Sequence, residues 1–155
     1  MDKELLQLVI KRYEEVSFTV NRRLNALIRK EMADELTLDQ YSTLRYIRQH
    51  GRCTSSELSD IFCVGKSSIT AIITRLFDKQ LIARKPDEKD RRVTYLTLTP
   101  AGERMMDEME KRIQETLSRI MNHFDKQEAT QFIQTFEKLA VVLTEQEGKG
   151  SGDRE

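Results

Sequence analysis

The sequence is poor in helix-breaking residues and in the long apolar runs that membrane proteins carry. Its 155 residues include no Trp, two Pro and six Gly, while 34% are charged. High charge with few helix breakers favours a mostly helical, well-solvated protein over an all-β one. No apolar run approaches the roughly 20 residues that span a bilayer, and the N-terminal stretch lacks the pattern of a signal peptide. We therefore expect a cytoplasmic protein with no membrane partner.

Cysteine is equally scarce, with Cys53 and Cys63 alone. Two cysteines build no disulfide framework and suit a reducing compartment. His50 lies three residues before Cys53, but no second ligand pair such as Cys-x-x-Cys follows, so we expect no metal site. Both cysteines fit small positions in or near a core. A thiol switch that uses Cys53 or Cys63 is the alternative, because Cys63 falls in the link between two predicted helices.

The motifs of common catalytic sites are missing too. The chain has two His, no Gly-rich phosphate loop, no Gly-x-Ser-x-Gly and no suggestive Ser/His/Asp spacing. We therefore expect no enzyme activity, no catalytic residues and no cofactor. Net charge is zero, from 26 basic and 26 acidic residues, so overall charge does not favour nucleic acid. Between Val64 and Arg92, however, eight Lys or Arg stand against four Asp or Glu.

Long amphipathic helices are predicted at both ends of the chain. From residue 3 to 32, apolar residues recur at steps of three and four and draw one stripe along a helix: Leu6, Val9, Tyr13, Val16, Val20, Leu24 and Leu27. Such a helix is either a long core helix or one that a partner covers. Two more helices are predicted from Pro100 to Phe124 and from Asp125 to Gln146. Residues 147–155 have nothing apolar to bury, and we expect them to be disordered.

The central segment, residues 37–99, predicts three short helices and a hairpin. Thr37 with Gln40 and Thr54 with Glu57 fit capping boxes, and Gly51 suits a left-handed helix end. We expect the three helices to bury the following apolar residues: Leu38, Tyr41, Leu44 and Ile47; Leu58, Ile61 and Phe62; and Ile69, Ile72, Ile73, Leu76 and Phe77. The link 63–65 between the second and third helices is too short for anything but a sharp turn.

The outer face of the helix over residues 66–79 is small and rich in hydroxyl groups. It carries Ser67, Ala71 and Thr74, flanked by Ser68, Thr70 and Arg75. Such a face fits a DNA major groove, which is about 12 Å wide and admits one helix. The N-terminal N–H groups of the helix, with Lys66 beside them, suit a phosphate. An ordinary helical hairpin inside a core is the alternative.

The predicted hairpin has strands at residues 81–85 and 93–99 and a charged turn at residues 86–92. Arg91 and Arg92 at its tip suit a minor groove, where narrow A·T-rich tracts deepen the negative potential. Asp87 or Asp90 is placed to hold an Arg outstretched. A solvated charge cluster is the alternative for this turn taken alone. Thr99 then fits the N-cap of the next helix, with Pro100 at its first position.

These motifs resemble the MarR family of transcriptional regulators, from about Leu5 to Leu143. The resemblance is carried by residues 56–58, 66–76 and 81–84, and above all by Asp87–Arg92 followed by Leu-Thr-Leu-Thr-Pro-Ala-Gly at 96–102. It implies a mostly α fold with a small β-hairpin wing, that is, a winged helix-turn-helix flanked by dimerisation helices. We expect one domain over residues 1–146, with a DNA-binding lobe at 37–99 and dimerisation helices at 3–32 and 100–146.

The resemblance also implies a ligand-responsive repressor that binds a pseudo-palindromic operator in double-stranded DNA as a homodimer. The expected DNA-binding residues are Thr54, Ser55, Lys66, Ser67, Ser68, Thr70, Ala71, Thr74, Arg75, Lys89, Asp90, Arg91 and Arg92. The expected dimerisation residues are Leu6, Val9, Tyr13, Leu117, Ile120, Phe124, Phe132, Phe136, Leu139 and Leu143. A pocket for a small-molecule effector is expected among Tyr13, Phe18, Tyr41, Tyr46, Met105 and Met109, all of which also suit a plain core.

The chain departs from the family pattern at two points. Gln80 stands where the family often has Gly, so the helix over 66–79 must end without a residue that readily adopts a positive φ. No cysteine precedes Cys53, which argues against peroxide sensing through the first helix. The alternative function from another class is a winged-helix module that binds protein rather than DNA.

Overall fold

The computed structural model describes residues 1–32 and 35–150. Over these residues the chain is mostly helical with one antiparallel hairpin, as predicted. The elements, in chain order, are α1 (Lys3–Met32), α2 (Leu38–His50), α3 (Ser55–Ile61), α4 (Lys66–Asp78), β1 (Ile82–Pro86), β2 (Thr94–Leu98), α5 (Pro100–Met121) and α6 (Lys126–Gly150). The chain divides within α5 into two compact units, Met1–Gln114 and Glu115–Glu155.

Side-chain caps begin α2 and α3 where the sequence predicts them. The Thr37 hydroxyl accepts a hydrogen bond from the Gln40 N–H, and the Gln40 side chain accepts one from the Thr37 N–H, both at 3.2 Å. Thr54 and Glu57 repeat this exchange at 3.2 and 2.7 Å. Gly51 ends α2 with φ +73°. These bonds satisfy N–H groups that a helix start otherwise leaves without partners, which explains why the predicted boundaries are accurate.

Among residues 1–32 and 35–150, two residues other than glycine adopt a positive φ, and each follows a helix end: Cys63 with φ 51° and Gln80 with φ 58°. After α4, the Gln80 N–H donates to the Phe77 carbonyl at 2.8 Å and the Leu81 N–H to the Leu76 carbonyl at 3.0 Å. This pair of bonds is a Schellman motif. Gln80 itself therefore takes the left-handed conformation that glycine adopts at lower cost.

The core of the first unit is formed by apolar residues from every helix and strand of residues 38–113. Fully buried side chains include Leu44, Ile47, Leu58, Ile69, Leu76, Ile82, Met106 and Met109. Two predicted core positions are wrong, because Ile61 is 56% and Phe77 44% exposed. Ile61 is the last residue of α3, so no further helical turn covers it. The guanidinium of Arg84 lies 4.8 Å from the centre of the Phe77 ring, so a cation rather than the core covers it.

The hairpin pairs Ile82 with Leu98 and Pro86 with Thr94 at its two ends. The loop before α3 joins this sheet at one residue, since Cys53 and Leu96 exchange backbone hydrogen bonds of 3.2 and 2.7 Å. Cys53 is 1% exposed, as expected of a core cysteine, whereas Cys63 is exposed. The bridge fixes the middle of β2 to the segment that leads into α3.

The helices at the chain ends differ from prediction in their lengths. α5 ends at Met121 instead of Phe124, and α6 continues to Gly150. Residues 147–150 are therefore helical instead of disordered, because extending an existing helix costs far less than nucleating one. The remaining part of the predicted disordered tail, 151–155, lies outside the described residues. Within residues 1–32 and 35–150, no helix has the length and apolar character needed to cross a membrane.

Candidate nucleic-acid interface

The turn between α3 and α4 is held by Ser59, which is buried. Its carbonyl accepts a hydrogen bond from the Val64 N–H at 3.2 Å, and its hydroxyl donates to the Val64 carbonyl at 2.7 Å. The Cys63 N–H donates to the Asp60 carbonyl at 3.1 Å, which completes a second Schellman motif. The two hydrogen bonds between Ser59 and Val64 set the direction in which α4 leaves α3, as a helix-turn-helix requires.

α4 buries Ile69, Ile73 and Leu76 and exposes its opposite face. The exposed residues include every predicted contact on this helix: Lys66, Ser67, Ser68, Thr70, Ala71, Thr74 and Arg75. The Thr70 hydroxyl donates to the Lys66 carbonyl at 2.8 Å, so its oxygen faces outward chiefly as an acceptor. Gly65 is the N-cap and makes no side-chain capping bond. The Gly65 carbonyl accepts hydrogen bonds from the N–H groups of Ser68 at 3.0 Å and Ile69 at 3.3 Å, so the N–H groups of Lys66 and Ser67 are the ones at the helix end.

Two predicted contacts lie at the start of α3. The Thr54 hydroxyl is the cap of that helix and accepts a hydrogen bond from the Glu57 N–H, while Ser55 is exposed in the first turn. The capping role fixes the Thr54 side chain. Ser55 is therefore the more accessible of the two for an external partner.

The tip of the hairpin is an ordered loop built around two carboxylates. Asp87 accepts hydrogen bonds from the N–H groups of Lys89 and Asp90 at 2.8 and 2.9 Å, and these bonds lower the pKa of Asp87 below its usual value. The Asp90 carboxylate then accepts from Nε of Arg92 at 3.1 Å and from its Nη2 at 3.4 Å. The Arg92 side chain is nevertheless 91% exposed. The prediction that a carboxylate holds an arginine outstretched is therefore confirmed for Asp90 and Arg92, while Lys89 and Arg91 are exposed on the same loop.

Two further arginines, Arg52 in the loop before α3 and Arg84 in β1, were not among the predicted contacts. The Arg52 guanidinium lies 4.1 Å from the centre of the Tyr95 ring, and its charge contributes to the lowered pKa of Asp87. Arg84 lies over Phe77. Arg52 falls before the basic stretch counted from Val64, and no local spacing connects it with Tyr95. A charge count that began at the loop before α3 would have included it.

Comparison with known proteins identifies the family. The MarR family model matches residues 36–94. YsmB of Bacillus subtilis strain 168, an uncharacterized HTH-type transcriptional regulator, is 32% identical over 104 residues, which cover 67% of this chain and 71% of YsmB. The chain belongs to the MarR family. Its hairpin is the wing of a winged helix-turn-helix.

Solved structures of MarR-family proteins have the same fold. A MepR-like protein complexed with pseudoligands is 27% identical with a TM-score of 0.61, and the match covers 86% of this chain and 95% of that one. A mutant of Escherichia coli MarR, complexed with operator DNA, is 20% identical with a TM-score of 0.74, over 84% of this chain and 94% of that one. At that identity the likeness shows the winged-helix fold alone.

The dimerisation residues expected of a MarR-family chain are largely exposed in the single chain. Large apolar side chains between 43% and 59% exposed are Leu6, Val9, Tyr13, Phe124, Phe132, Phe136 and Leu143. Leu117, Ile120 and Leu139 are half-buried or exposed. The rings of Phe132 and Phe136 stack with centres 5.5 Å apart. Apolar surface this extensive is unusual on a monomer.

The residues expected to line an effector pocket are in very different environments. Tyr41 and Met109 are buried, Tyr46 and Met105 are half-buried, and Tyr13 and Phe18 are 52% and 65% exposed. Tyr46 stacks on His50 with ring centres 4.0 Å apart, and Phe18 lies under the Arg22 guanidinium at 5.3 Å. A pocket lined by all six therefore stays a prediction for the assembled protein.

The two cysteines differ in burial and therefore in the expected reactivity of their thiols. Burial, with the nearby Glu57 charge, raises the pKa of the Cys53 thiol to about 12. Cys53 is therefore protonated at neutral pH and a poor nucleophile, because the thiolate is the reactive form. A thiol switch in this chain would have to use the exposed Cys63.

Proposed function

We propose that this protein is a cytoplasmic, homodimeric repressor that binds a pseudo-palindromic operator. In each protomer α4 enters the major groove and the wing tip enters the adjacent minor groove. The observation that carries the proposal is the Asp90–Arg92 ion pair at an ordered wing tip. An almost fully exposed arginine that its own carboxylate neighbour orients is suited to an external anion or groove.

The surface of α4 supports the major-groove assignment. Its exposed residues near the N-terminus are short and polar, so the helix axis can approach a surface closely while hydroxyl groups remain available. Arg75, one and a half turns further along than Thr70, extends to base edges or phosphates. The helix N-terminus adds a partial positive charge and N–H groups beside Lys66. Together these features fit the docking of a recognition helix.

The exposed apolar residues of α1 and α6 support the dimer. One winged helix alone makes few phosphate contacts, and phosphate contacts supply most of the affinity of such proteins for DNA. A second copy that covered Leu6, Val9, Phe132 and Phe136 would bury apolar area that solvent now contacts. It would also place two modules on one duplex. Residues 1–146 would then act as one domain that carries two functions, DNA reading and dimerisation.

The regulated form of the proposal adds a small-molecule effector. The expected pocket includes Tyr41 and Met109, buried in the unit that also contains α4. An effector that bound the assembled dimer and favoured one arrangement of its two modules would shift the affinity for the operator. Repression then follows from occupancy of promoter DNA.

Selection of bound sequences from a random duplex library tests the proposal. We expect an enriched inverted repeat whose half-sites lie about one helical turn apart, roughly 34 Å, with binding that falls steeply as salt rises. Repeating the selection with candidate small molecules tests the effector. No enrichment at all would instead favour a module that binds protein.

The selected operator then tests the contacts of α4. Ser68→Ala and Arg75→Ala should each change which bases are preferred, since removing a good base contact alters discrimination by about 1–3 kcal/mol. Asp78→Ala, at an exposed position of α4 outside the predicted contacts, is the control for changes in the helix alone. An equal loss of affinity on every sequence would mean that Ser68 and Arg75 contact phosphates.

A further inference from the structure

One side chain links α2 to three successive turns of α5. Nε of Arg48 lies 3.3 Å from Oε2 of Glu103, its Nη1 lies 3.5 Å from Oε2 of Glu110, and its Nη2 contacts Oδ1 of Asp107. The first and last of the three carboxylates, those of Glu103 and Glu110, are seven residues apart, which is about 10 Å along the helix. The Arg48 side chain is 28% exposed, and the side chains of Glu103, Asp107 and Glu110 are 49%, 64% and 41% exposed.

α5 is also attached at its first turn. The Thr99 N–H donates to the Leu81 carbonyl at 3.0 Å, and the Thr99 hydroxyl donates to the Gln80 carbonyl at 2.7 Å. Gly102 lies directly against the Leu81 carbonyl. These contacts fix where α5 begins, immediately after the end of α4 and the wing. Further along α5, Nη2 of Arg112 lies 3.5 Å from Oε1 of Glu35, which precedes α2.

Direction matters because α5 is long. The part of α5 in the first unit, residues 100–114, extends about 22 Å, so a swing of about 10° at the first turn would move its end by about 4 Å. One base-pair step is about 3.4 Å, since one helical turn of about 34 Å contains about ten base pairs. A small error in the direction of α5 would therefore exceed the spacing error that a two-module reader tolerates.

The apolar contacts of α5 specify that direction weakly. Its buried apolar residues in the first unit are Met106, Met109 and Ile113, and the two methionines adapt to irregular gaps rather than fixing one packing. A guanidinium is planar and presents its donors in a rigid fork. The partner helix is also firmly placed, because Leu44 and Ile47 of α2 are fully buried in the core against which α4 packs.

We propose that Arg48 is a positioning residue that sets the spacing between operator half-sites by fixing the direction of α5 relative to the reading module. The role rests on the proposed homodimer, whose interface includes residues at and beyond the end of α5. Arg48 contacts no base or phosphate in this scheme. It acts through Glu103, Asp107 and Glu110, so it determines which spacing is accepted and leaves recognition of each half-site unchanged.

The test measures Kd on operators whose half-sites are separated by the optimal spacer and by spacers one base pair shorter and longer. Arg48→Met removes the positive charge while keeping an unbranched side chain. Arg48→Lys keeps a positive charge at this position but removes the planar guanidinium. Arg45→Met, on the exposed side of the same helix, is the matched control. A duplex with a single half-site reports recognition alone, and thermal unfolding of each variant reports folding.

We expect the wild-type protein to lose at least about tenfold in affinity per base pair of wrong spacing, equivalent to about 1.4 kcal/mol. For Arg48→Met, the fold-loss of affinity per base pair of wrong spacing should be at least three times smaller than for the wild type. Arg48→Lys should restore part of this loss, and Arg45→Met should leave it unchanged. Glu103→Gln combined with Asp107→Asn and Glu110→Gln should reproduce the Arg48→Met profile.

A spacing profile of Arg48→Met that matched the wild-type profile would overturn the proposal. So would an equal loss of affinity at every spacer, which is the result that a purely stabilising role gives. A wild-type protein with no spacing preference would refute the homodimeric reader, and this positioning role with it. The two failures are distinguishable, because one is seen in the wild-type protein and the other only in the variant.

Discussion

Substitution of Gly102 by Ala tests the packing that attaches α5 to the reading module. A Cβ at this position would lie 2.2 Å from the Leu81 carbonyl oxygen and 3.2 Å from its carbon. Ordinary contacts between carbon and oxygen begin near 3.3 Å, so α5 must move by about 1 Å. The same Leu81 carbonyl accepts the hydrogen bond from the Thr99 N–H, and that movement would weaken it.

The expected change in the free energy of unfolding is the sum of three terms. Overpacking against backbone costs about 1–3 kcal/mol, and this contact belongs at the upper end because backbone on both sides resists displacement. The weakened hydrogen bond adds about 1 kcal/mol, and the better helix propensity of Ala returns about 1 kcal/mol. We therefore expect Gly102→Ala to lower the free energy of unfolding by about 3 kcal/mol. For a chain of this size, that corresponds to a drop in Tm of about 6–12 °C.

Two other glycines are matched controls in urea and thermal unfolding. A Cβ at Gly65 would meet only the Ser67 Oγ, at 3.9 Å, so Gly65→Ala should change stability by less than about 1 kcal/mol. Gly51 has open space but φ +73°, so Gly51→Ala should cost about 1–2 kcal/mol. The reasoning is refuted if Gly102→Ala destabilises the protein no more than Gly65→Ala does.

Three further predictions follow from the wing, the end of α4 and the thiols. Arg91→Ala and Arg92→Ala should each weaken operator binding by about 1–3 kcal/mol, and a double variant that bound like the wild type across a salt series would eliminate the wing contact. Gln80→Gly should stabilise the protein by about 0.5–1 kcal/mol in urea unfolding, because relief of the left-handed conformation outweighs the added chain entropy; lower stability would contradict this. At pH 8 an alkylating reagent should modify Cys63 in the native protein and Cys53 only after unfolding, because the raised pKa of Cys53, about 12, leaves roughly one thiol in ten thousand ionised. Rapid native modification of a Cys63→Ser variant would be the contrary result.

Local chemistry made the helix starts and the wing predictable from the sequence. Thr37, Thr54 and Asp125 each cap a helix together with a Gln or Glu three residues later, and both partners of such a cap lie within four residues. The Thr99 N-cap is equally local, since its hydroxyl accepts from the Gly102 N–H at 3.0 Å. The charged tip was predictable for the same reason, because Asp90 and Arg92 are two residues apart.

Contacts between residues far apart in the chain were not predictable. The spacing of apolar residues shows which face of a helix is buried, but it does not show which charged side chain contacts that helix. Arg48 is separated from its three carboxylates by 55–62 residues, and Arg52 from Tyr95 by 43. Phe77 continues the apolar stripe of α4 next to the fully buried Leu76, yet it is 44% exposed. Exposure at helix ends depends on what packs there, which a stripe does not reveal.

The most direct test of the central claim is a hydroxyl-radical footprint on the selected operator, with wild-type protein and with Arg92→Ala. The wild type should give protections with two-fold symmetry, with two reading modules about one helical turn apart and protected minor-groove positions flanking them. Arg92→Ala should lose the flanking minor-groove protection and keep the central pattern. A single asymmetric footprint, or flanks unchanged by the substitution, would contradict a dimer that reads the major groove with α4 and the minor groove with its wing.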